Sequence, residues 1–300
     1  MSATEYQERH QDYVFSAPDL ASGQQAQALV FQIDPDYPFE LRGLAARVPY
    51  NAAGQQVGLE YLLMRWTDGD GNYQQQGLTL LSFLLGPYFG QLGAPKPVSP
   101  AVRFEKSAII TLDLFNGGPN PITGLQLFFR GVKLLPKGVG ASAYTYPGKM
   151  VSAPLSFVYP LIVPNLQVTD SLDGLFNPQN DSDFVLRYGQ AGQGSPANVP
   201  TALEVFITLK DEGGKPFSNA PVHMDVLFGR SDFQAAYPCG LGYVAPVGPG
   251  AAQPGLLYPE IYMPRNHQLL YTITRNDAAY PGLGAVDYPL LFGGMKVFPG

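Results

Sequence analysis

The tetrapeptide Phe39-Glu-Leu-Arg42 recurs in this chain as Phe184-Val-Leu-Arg187, 145 residues further on. A single short match of this kind arises easily by chance. Here it is the first of five matches between the two halves of the sequence, and all five keep the same order along the chain. Self-similarity at a long period indicates that one structural unit is used twice. The repeat therefore predicts an internal duplication.

The other four matches differ in their separation, which is 144 and 143 residues for the next two and 160 and 163 for the last two. They pair Leu59-Glu60 with Leu203-Glu204, Leu84-Leu85-Gly86 with Leu227-Phe228-Gly229, Ile109-Ile110 with Leu269-Leu270, and Phe129-x-Gly131-x-Lys133 with Phe292-x-Gly294-x-Lys296. The jump between 143 and 160 indicates an insertion in the second copy. We place it at 237–257, where glycine and proline mark a loop.

These separations predict the division of the chain. We expect an N-terminal arm at 1–26, a first domain at 27–137, a connector at 138–172, and a second domain at 173–300 that carries the inserted loop at 237–257. Within the connector, Leu155 to Val163 has the composition of a further strand.

Within each copy the pattern is typical of strands. Leu203 to Leu209 is an apolar, β-branched run, and Val102 to Phe115 alternates polar with apolar residues. Asp68-Gly-Asp-Gly-Asn72 and Asp211-Glu-Gly-Gly-Lys215 lie at matching places and indicate hairpin turns. About 110 to 130 residues with roughly eight short strands suit a two-sheet sandwich. The sequence thus predicts an all-β fold of two tandem jelly-roll or β-sandwich domains.

The motif that closes each copy, Phe129-x-Gly131-x-Lys133 and its counterpart Phe292-x-Gly294-x-Lys296, predicts a last strand. We interpret the phenylalanine as a core residue. The glycine indicates a bulge or a close approach of another backbone.

Charge excludes two classes of partner. The chain of 300 residues has 18 Lys+Arg against 24 Asp+Glu, which gives a net charge of −6 and a pI near 5.0. Binding to nucleic acid or to an anionic membrane surface favours a surplus of positive charge, so we expect neither partner. Only 14% of the residues are charged, where about 25% is usual. So little charge favours extensive contact with neighbouring proteins.

The seven Tyr-Pro dipeptides, at 37, 146, 159, 237, 258, 280 and 288, suit contact surfaces or sheet corners equally well.

Residues that carry chemistry are few, and we expect no catalytic, metal-binding or cofactor-binding site. The three histidines His10, His223 and His267 are scattered, and Cys239 has no histidine close in sequence. Asp68-x-Asp70-x-Asn72 resembles the start of a calcium loop, but Tyr73 and Thr79 stand where that loop needs glycine and glutamate, which favours a turn. Gly189 to Gly194 is followed by no helix and indicates a loop tip. Carboxylates that are distant in sequence but meet in space remain open.

The motifs Phe39-x-Leu41-Arg42 and Phe129-x-Gly131-x-Lys133, their second-copy counterparts, and the run Leu257 to Arg265 together resemble virion structural proteins of tailed bacteriophages. The resemblance implies a non-enzymatic collar, neck, head-decoration or fibre-anchoring component. Such a protein forms homo-oligomers, binds other virion proteins, and is located in the virion after synthesis in the host cytoplasm. By the same analogy, segments 1–26 and 237–257 are candidate contact segments.

Two alternatives stay open. A double jelly-roll capsid protein predicts trimers. A carbohydrate-binding or sugar-hydrolysing β-protein predicts an exposed aromatic platform or a cleft with facing carboxylates, and the single tryptophan, Trp66, lies in a strand-like run.

Overall fold

The computed structural model describes residues 6–49, 58–68, 70–72, 74–81, 84, 96–136, 155–177, 182–191, 204–228, 255–276 and 286–298. Most of these residues are in β-strands and very few are in helices, which confirms the all-β fold class. The chain divides into two compact units. Unit 1 contains all the described residues up to Pro136, and unit 2 contains all those from Leu155 onward.

The described residues of each unit form eight strands. In unit 1 they are β1 (Tyr6–Ser16), β2 (Gln25–Gln32), β3 (Phe39–Arg47), β4 (Leu62–Trp66), β5 (Thr79–Leu80), β6 (Lys96–Phe104), β7 (Ile109–Asn116) and β8 (Gln126–Pro136). In unit 2 they are β9 (Leu155–Leu166), β10 (Ser171–Phe176), β11 (Asp183–Ala191), β12 (Val205–Lys210), β13 (Val222–His223), β14 (Gly255–Met263), β15 (Leu269–Arg275) and β16 (Val286–Val297). A 3-10 helix spans Leu59–Tyr61, and the helix α1 spans Met224–Phe228.

The two units have the same topology. Unit 1 has one sheet in the order β1-β8-β3-β6 and a second in the order β2-β7-β4-β5. Unit 2 has the orders β9-β16-β11-β14 and β10-β15-β12-β13, so each strand corresponds to the one eight places later. Eight antiparallel strands divided in this way between two sheets form a jelly roll. The chain therefore consists of two tandem jelly rolls that arose by internal duplication, as the sequence predicted.

Aromatic rings join the two sheets of each unit at equivalent places. Phe31 of β2 packs against Phe129 of β8, with ring centroids 4.7 Å apart. In unit 2, Phe176 of β10 packs against Phe292 of β16 at 5.0 Å. Trp66 is also buried in the core of unit 1. Each such ring removes a large apolar area from water, worth roughly 1.5–3 kcal/mol, so the repeated aromatic residues are core residues.

The predicted close approach at the repeated glycine is confirmed in both units. The register of β3 shifts between Leu41 and Gly43, which leaves Arg42 as the extra residue of a β-bulge opposite Gly131. A Cβ atom on Gly131 would lie 1.9 Å from the carbonyl oxygen of Glu40. In unit 2, β11 has the same bulge between Leu186 and Tyr188, and a Cβ on Gly294 would lie 1.9 Å from the carbonyl oxygen of Val185.

The structure differs from the predicted arm at 1–26. Tyr6–Ser16 is β1, which pairs with β8 from Tyr6 opposite Pro136 to Ser16 opposite Gln126. It is the first strand of the jelly roll, because β8 lies between two strands in the sheet and pairs with β1 on one side and β3 on the other. In the same way, β9 and β10 lie within or begin in the predicted connector at 138–172, and β9 contains the strand predicted at Leu155 to Val163. The predicted insertion at 237–257 falls almost wholly outside the described residues.

Two of the sequence matches are shifted by one residue in the structure. Ile110 pairs with Phe31 and Leu269 pairs with the equivalent Phe176, so β7 and β15 correspond at a separation of 159 rather than 160. At that separation Leu112 corresponds to Tyr271. Because Trp66 pairs with Leu112 and Leu209 pairs with Tyr271, β4 and β12 correspond at 143 rather than 144. A shift of one residue moves every side chain to the other face of a strand, so burial and not letter identity sets the alignment.

Candidate assembly surfaces

The first sheet of unit 1 is buried on both faces along β1 and β8. Tyr13 and Phe129 point into the jelly-roll core, so their neighbours Asp12 and Arg130 point to the opposite face. These two side chains are nevertheless only 2% and 1% exposed. The outer face of this sheet is therefore not a solvent-exposed surface at its centre.

Asp12 and Arg130 form a buried bidentate ion pair across β1 and β8. Arg130 Nε donates to Asp12 Oδ1 at 2.9 Å, and Nη2 donates to Oδ2 at 3.0 Å. His10 Nε2 lies 3.4 Å from Asp12 Oδ2. Burial by itself would raise the pKa of Asp12, but the charges and hydrogen bonds of Arg130 and His10 outweigh it and hold that pKa well below its usual value. Asp12 is therefore ionised at neutral pH.

Much of the positive charge of this protein is inside it. Six of the described cationic side chains are buried: Arg9, Arg47, Arg130, Lys133, Arg275 and Lys296. The whole chain has only 18 lysines and arginines, so the surface is even poorer in charge than the composition indicates.

The repeated lysine and arginine hold loops and strands in place. Lys133 Nζ donates to Asp34 at 2.6 Å and to Asp36 at 3.0 Å, which fixes the β2–β3 loop to β8. Arg42 binds Glu8 of β1, with 2.6 Å between Nη2 and Oε1, and Glu40 within its own strand. Each carboxylate in these contacts forms an ion pair with a lysine or arginine of the same unit.

The outer face of the second sheet carries exposed aliphatic side chains in both units. In unit 1, Val30 of β2 and Ile109 of β7 share this face and are 54% and 51% exposed. In unit 2, Leu175 of β10 is 52% exposed and lies opposite Leu270 of β15. Val30 and Leu175 occupy equivalent positions, since each directly precedes the core phenylalanine of its strand, Phe31 or Phe176.

Polar contacts flank these apolar residues. In unit 1, Arg65 Nε donates to Asp113 Oδ2 at 2.7 Å, and the Ala28 amide donates to Asp113 Oδ1 at 2.8 Å. In unit 2, Lys210 Nζ donates to Thr272 Oγ1 at 2.9 Å, and Thr272 donates to Asp173 at 2.5 Å. The two outer faces thus combine an exposed aliphatic position with a hydrogen-bonded carboxylate, which is paired with a cation in unit 1 and accepts from a neutral hydroxyl in unit 2.

The three histidines singled out from the sequence do not come together. His10 lies in β1 of unit 1, His223 lies in unit 2 beside Glu204 at 3.6 Å, and His267 contacts Glu212 at 2.5 Å. Within the described ranges, no group of three or more His, Cys, Asp or Glu side chains is placed to hold a metal ion.

The loop that resembles the start of a calcium site is a turn, held by hydrogen bonds from its own backbone amides to the carboxylate of Asp68. The amides of Asp70 and Asn72 donate to Asp68 Oδ1 at 3.0 and 2.8 Å, and Gly71 has a φ of 84°. The equivalent Asp211 accepts from the Lys215 amide at 2.8 Å. The hairpin turns predicted at both places are confirmed.

The other residues singled out from the sequence have varied outcomes. Tyr159 packs its ring 4.9 Å from Phe176, and Tyr288 is buried, so these two Tyr-Pro tyrosines belong to the packed interior. Cys239, Tyr146, Tyr237, Tyr280 and the end of the 189–194 loop lie outside the described residues. In the part of the chain that the structure describes, no helix is long and apolar enough to span a membrane.

Comparison with known proteins gave matches among solved structures alone. No protein-family model and no curated protein matches the chain. It is similar to the crystal structure of the STIV MCP, with 12% identity, 96% of this chain and 97% of that chain covered, and a TM-score of 0.28. It is also similar to PBCV-1 VP54 fitted into a cryo-EM reconstruction of the virophage Sputnik, with 9% identity, 98% and 94% covered, and a TM-score of 0.20.

A third similar structure is that of infectious bursal disease virus, Gx strain, with 8% identity, 100% of this chain and 78% of that chain covered, and a TM-score of 0.18. All three are viral capsid proteins.

Two features of these surfaces were not predicted from the sequence. Asp12 and Arg130 are 118 residues apart, and no local pattern indicates that their strands are neighbours. The equivalence of Val30 and Leu175 could have been predicted from the sequence, because they share the separation of 145 residues that relates Phe39 to Phe184.

Proposed function

We propose that this protein is a structural subunit of a virus particle, a tandem jelly-roll capsid protein that assembles through contacts between its own copies. The observation that carries the proposal is the complete jelly-roll strand order found twice in succession. Jelly rolls occur in viral capsid proteins, lectins and cupins, so the residues of this chain must distinguish among these classes.

The interior of both jelly rolls favours a structural role. Cupin-type chemistry needs an open interior with converging metal ligands, whereas here packed aromatic rings fill the space between the sheets. A glycan site of the lectin kind would be favoured by an exposed aromatic platform, whereas the one tryptophan, Trp66, lies in the core. The low surface charge, lowered further by the buried cations, suits a protein surrounded by neighbours.

The duplication also supports a particle component. A trimer of a chain with two equivalent domains contains six similar sandwiches, so one folding unit used twice supplies many similar surfaces for assembly. A tailed-phage collar, neck, decoration or fibre-anchoring protein is the finer alternative that the sequence resemblance implies.

The test is the oligomeric state of the purified full-length chain, measured by light scattering, together with its symmetry in electron micrographs. We expect trimers. Closed rings of another symmetry would favour the collar or neck assignment. A monodisperse monomer at high concentration would overturn both.

A further inference from the structure

Each four-stranded sheet of this protein has two edges, and most of these edges are protected. An exposed edge strand presents unpaired N–H and C=O groups that can pair with another chain, so proteins block edges with proline, with short strands or by covering them. In sheet order the edge strands of unit 1 are β1, β6, β2 and β5, and those of unit 2 are β9, β14, β10 and β13.

Six of the eight edges have a protecting feature. Proline occurs in β6 at Pro97 and Pro100, in β9 at Pro160 and Pro164, and in β14 at Pro259. The strands β5 and β13 are only two residues long. The side chains of β1 from Arg9 to Val14 are all buried, which covers that strand.

Among the described residues, the remaining two edges, β2 and β10, have none of these features, and they are equivalent strands. β2 (Gln25–Gln32) contains no proline and no charged residue, and five of its eight side chains are exposed. β10 (Ser171–Phe176) contains no proline and no cation, and its exposed and less exposed side chains alternate. Each carries an exposed aliphatic residue at the equivalent position, Val30 or Leu175.

The backbone of these two residues faces away from the sheet. Ile33 donates its amide to Ala108 beside β7, so by alternation the backbone of Phe31 also faces β7, and that of Val30, which precedes Phe31, faces outward. In unit 2, the Arg275 amide donates to Asp170, which by the same alternation places Phe176 toward β15 and Leu175 outward.

We infer that β2 of one copy pairs with β10 of a second copy, so that a sheet of one molecule continues into a sheet of the next. This inference rests on the proposed self-assembly and names the surface that would produce it. Charge disfavours one alternative, because pairing β10 with β10 would bring two Asp173 carboxylates together, whereas β2 brings no charge to β10. A β2–β10 contact also uses both unprotected edges of the described strands, whereas β2–β2 pairing would leave β10 unused. Such a head-to-tail contact forms a ring when the rotation between copies closes and an open filament when it does not.

The test uses two variants of the full-length chain, Val30→Pro and Leu175→Pro. Proline removes the outward amide and leaves the hydrogen bonds to β7 and β15, which are made by the neighbouring residues, so circular dichroism and thermal unfolding should match the wild type. If a proline variant does not fold, Val30→Lys or Leu175→Lys replaces it, since lysine is a natural edge blocker. The matched control is Ile109→Lys, which charges the same outer face on the central strand β7.

We expect each proline variant alone to lose the oligomer in light scattering and the Ile109→Lys control to keep it. A mixture of the two variants should form a heterodimer that does not grow further, because it can make one intact β2–β10 contact. Dimers of Leu175→Pro alone would overturn the inference in favour of β2–β2 pairing. Loss of assembly in Ile109→Lys would overturn it in favour of a contact through the sheet face. Wild-type assembly by both proline variants would overturn it and leave the proposed function standing, whereas a monomeric wild type would overturn both.

Discussion

Gly131 lies directly against the backbone of Glu40, so that a Cβ atom on the glycine would be 1.9 Å from the Glu40 carbonyl oxygen. The bulge at Arg42 brings the two strands this close, and the ring of Phe39 packs over the glycine on the core side. Gly294 and Val185 repeat the arrangement in unit 2. The most regular part of the sequence repeat thus encodes a backbone contact.

Gly131→Ala should destabilise unit 1 strongly, because the added methyl group meets a backbone atom that cannot move without breaking the β3–β8 pairing. We expect a loss of about 3 kcal/mol in the free energy of unfolding, measured by denaturant titration. Gly294→Ala should have a similar effect on unit 2. Gly77→Ala is the control, since nothing lies within 4 Å of a Cβ there. Equal stability of Gly131→Ala and Gly77→Ala would contradict the close approach.

Removing one partner of the Asp12–Arg130 pair should cost more than removing both. Arg130→Met leaves a carboxylate buried without its cation, and Asp12→Leu leaves a buried guanidinium, so each should lose about 3–5 kcal/mol. The double variant Asp12→Leu/Arg130→Met replaces the pair with apolar side chains and should be more stable than either single variant. Additive losses in this double-mutant cycle would show that the two groups do not interact.

Acid should weaken the protein partly through Asp12. Its pKa is lowered in the folded state, so its contribution to stability is present above the unfolded pKa, about 3.9, and declines as the pH falls from there toward the folded value. The stability of Asp12→Asn should therefore fall less steeply than that of the wild type below about pH 4. Thermal unfolding of both proteins across this range measures the difference. Parallel curves would be inconsistent with a depressed pKa.

The Asp68 turn should respond to mutation and not to calcium. Asp68→Ala removes the acceptor for two backbone amides, so we expect a loss of about 1–2 kcal/mol. Millimolar calcium or a chelator should leave the unfolding temperature of the wild type unchanged, because backbone groups already occupy the carboxylate. A rise in that temperature with calcium would restore the calcium-loop interpretation.

The sequence predicted the fold where local patterns were strong. An aspartate followed closely by glycine predicts a hairpin turn, because its carboxylate accepts hydrogen bonds from backbone amides of the same loop, as Asp68 and Asp211 do. The motif Phe-x-Gly-x-Lys likewise predicted a close approach in both copies. The sequence did not reveal β1, because Tyr6–Ser16 is largely polar and has little similarity to its counterpart β9. Letter identity also placed two strands one residue out of register, since neighbouring apolar residues look alike until burial distinguishes the faces.

The sequence by itself determined the duplication, the strand-rich composition and the turns, because each depends on residues close together or on a repeat that can be read along the chain. The tertiary structure alone decided which charges are paired and which edges are open. Asp12 meets Arg130 only because β1 and β8 are neighbours in the sheet. Val30 and Leu175 lie at an edge only because β2 and β10 come last in sheet order among the described strands. Such facts depend on the spatial order of strands, which the jelly-roll topology sets over more than a hundred residues and no local pattern records.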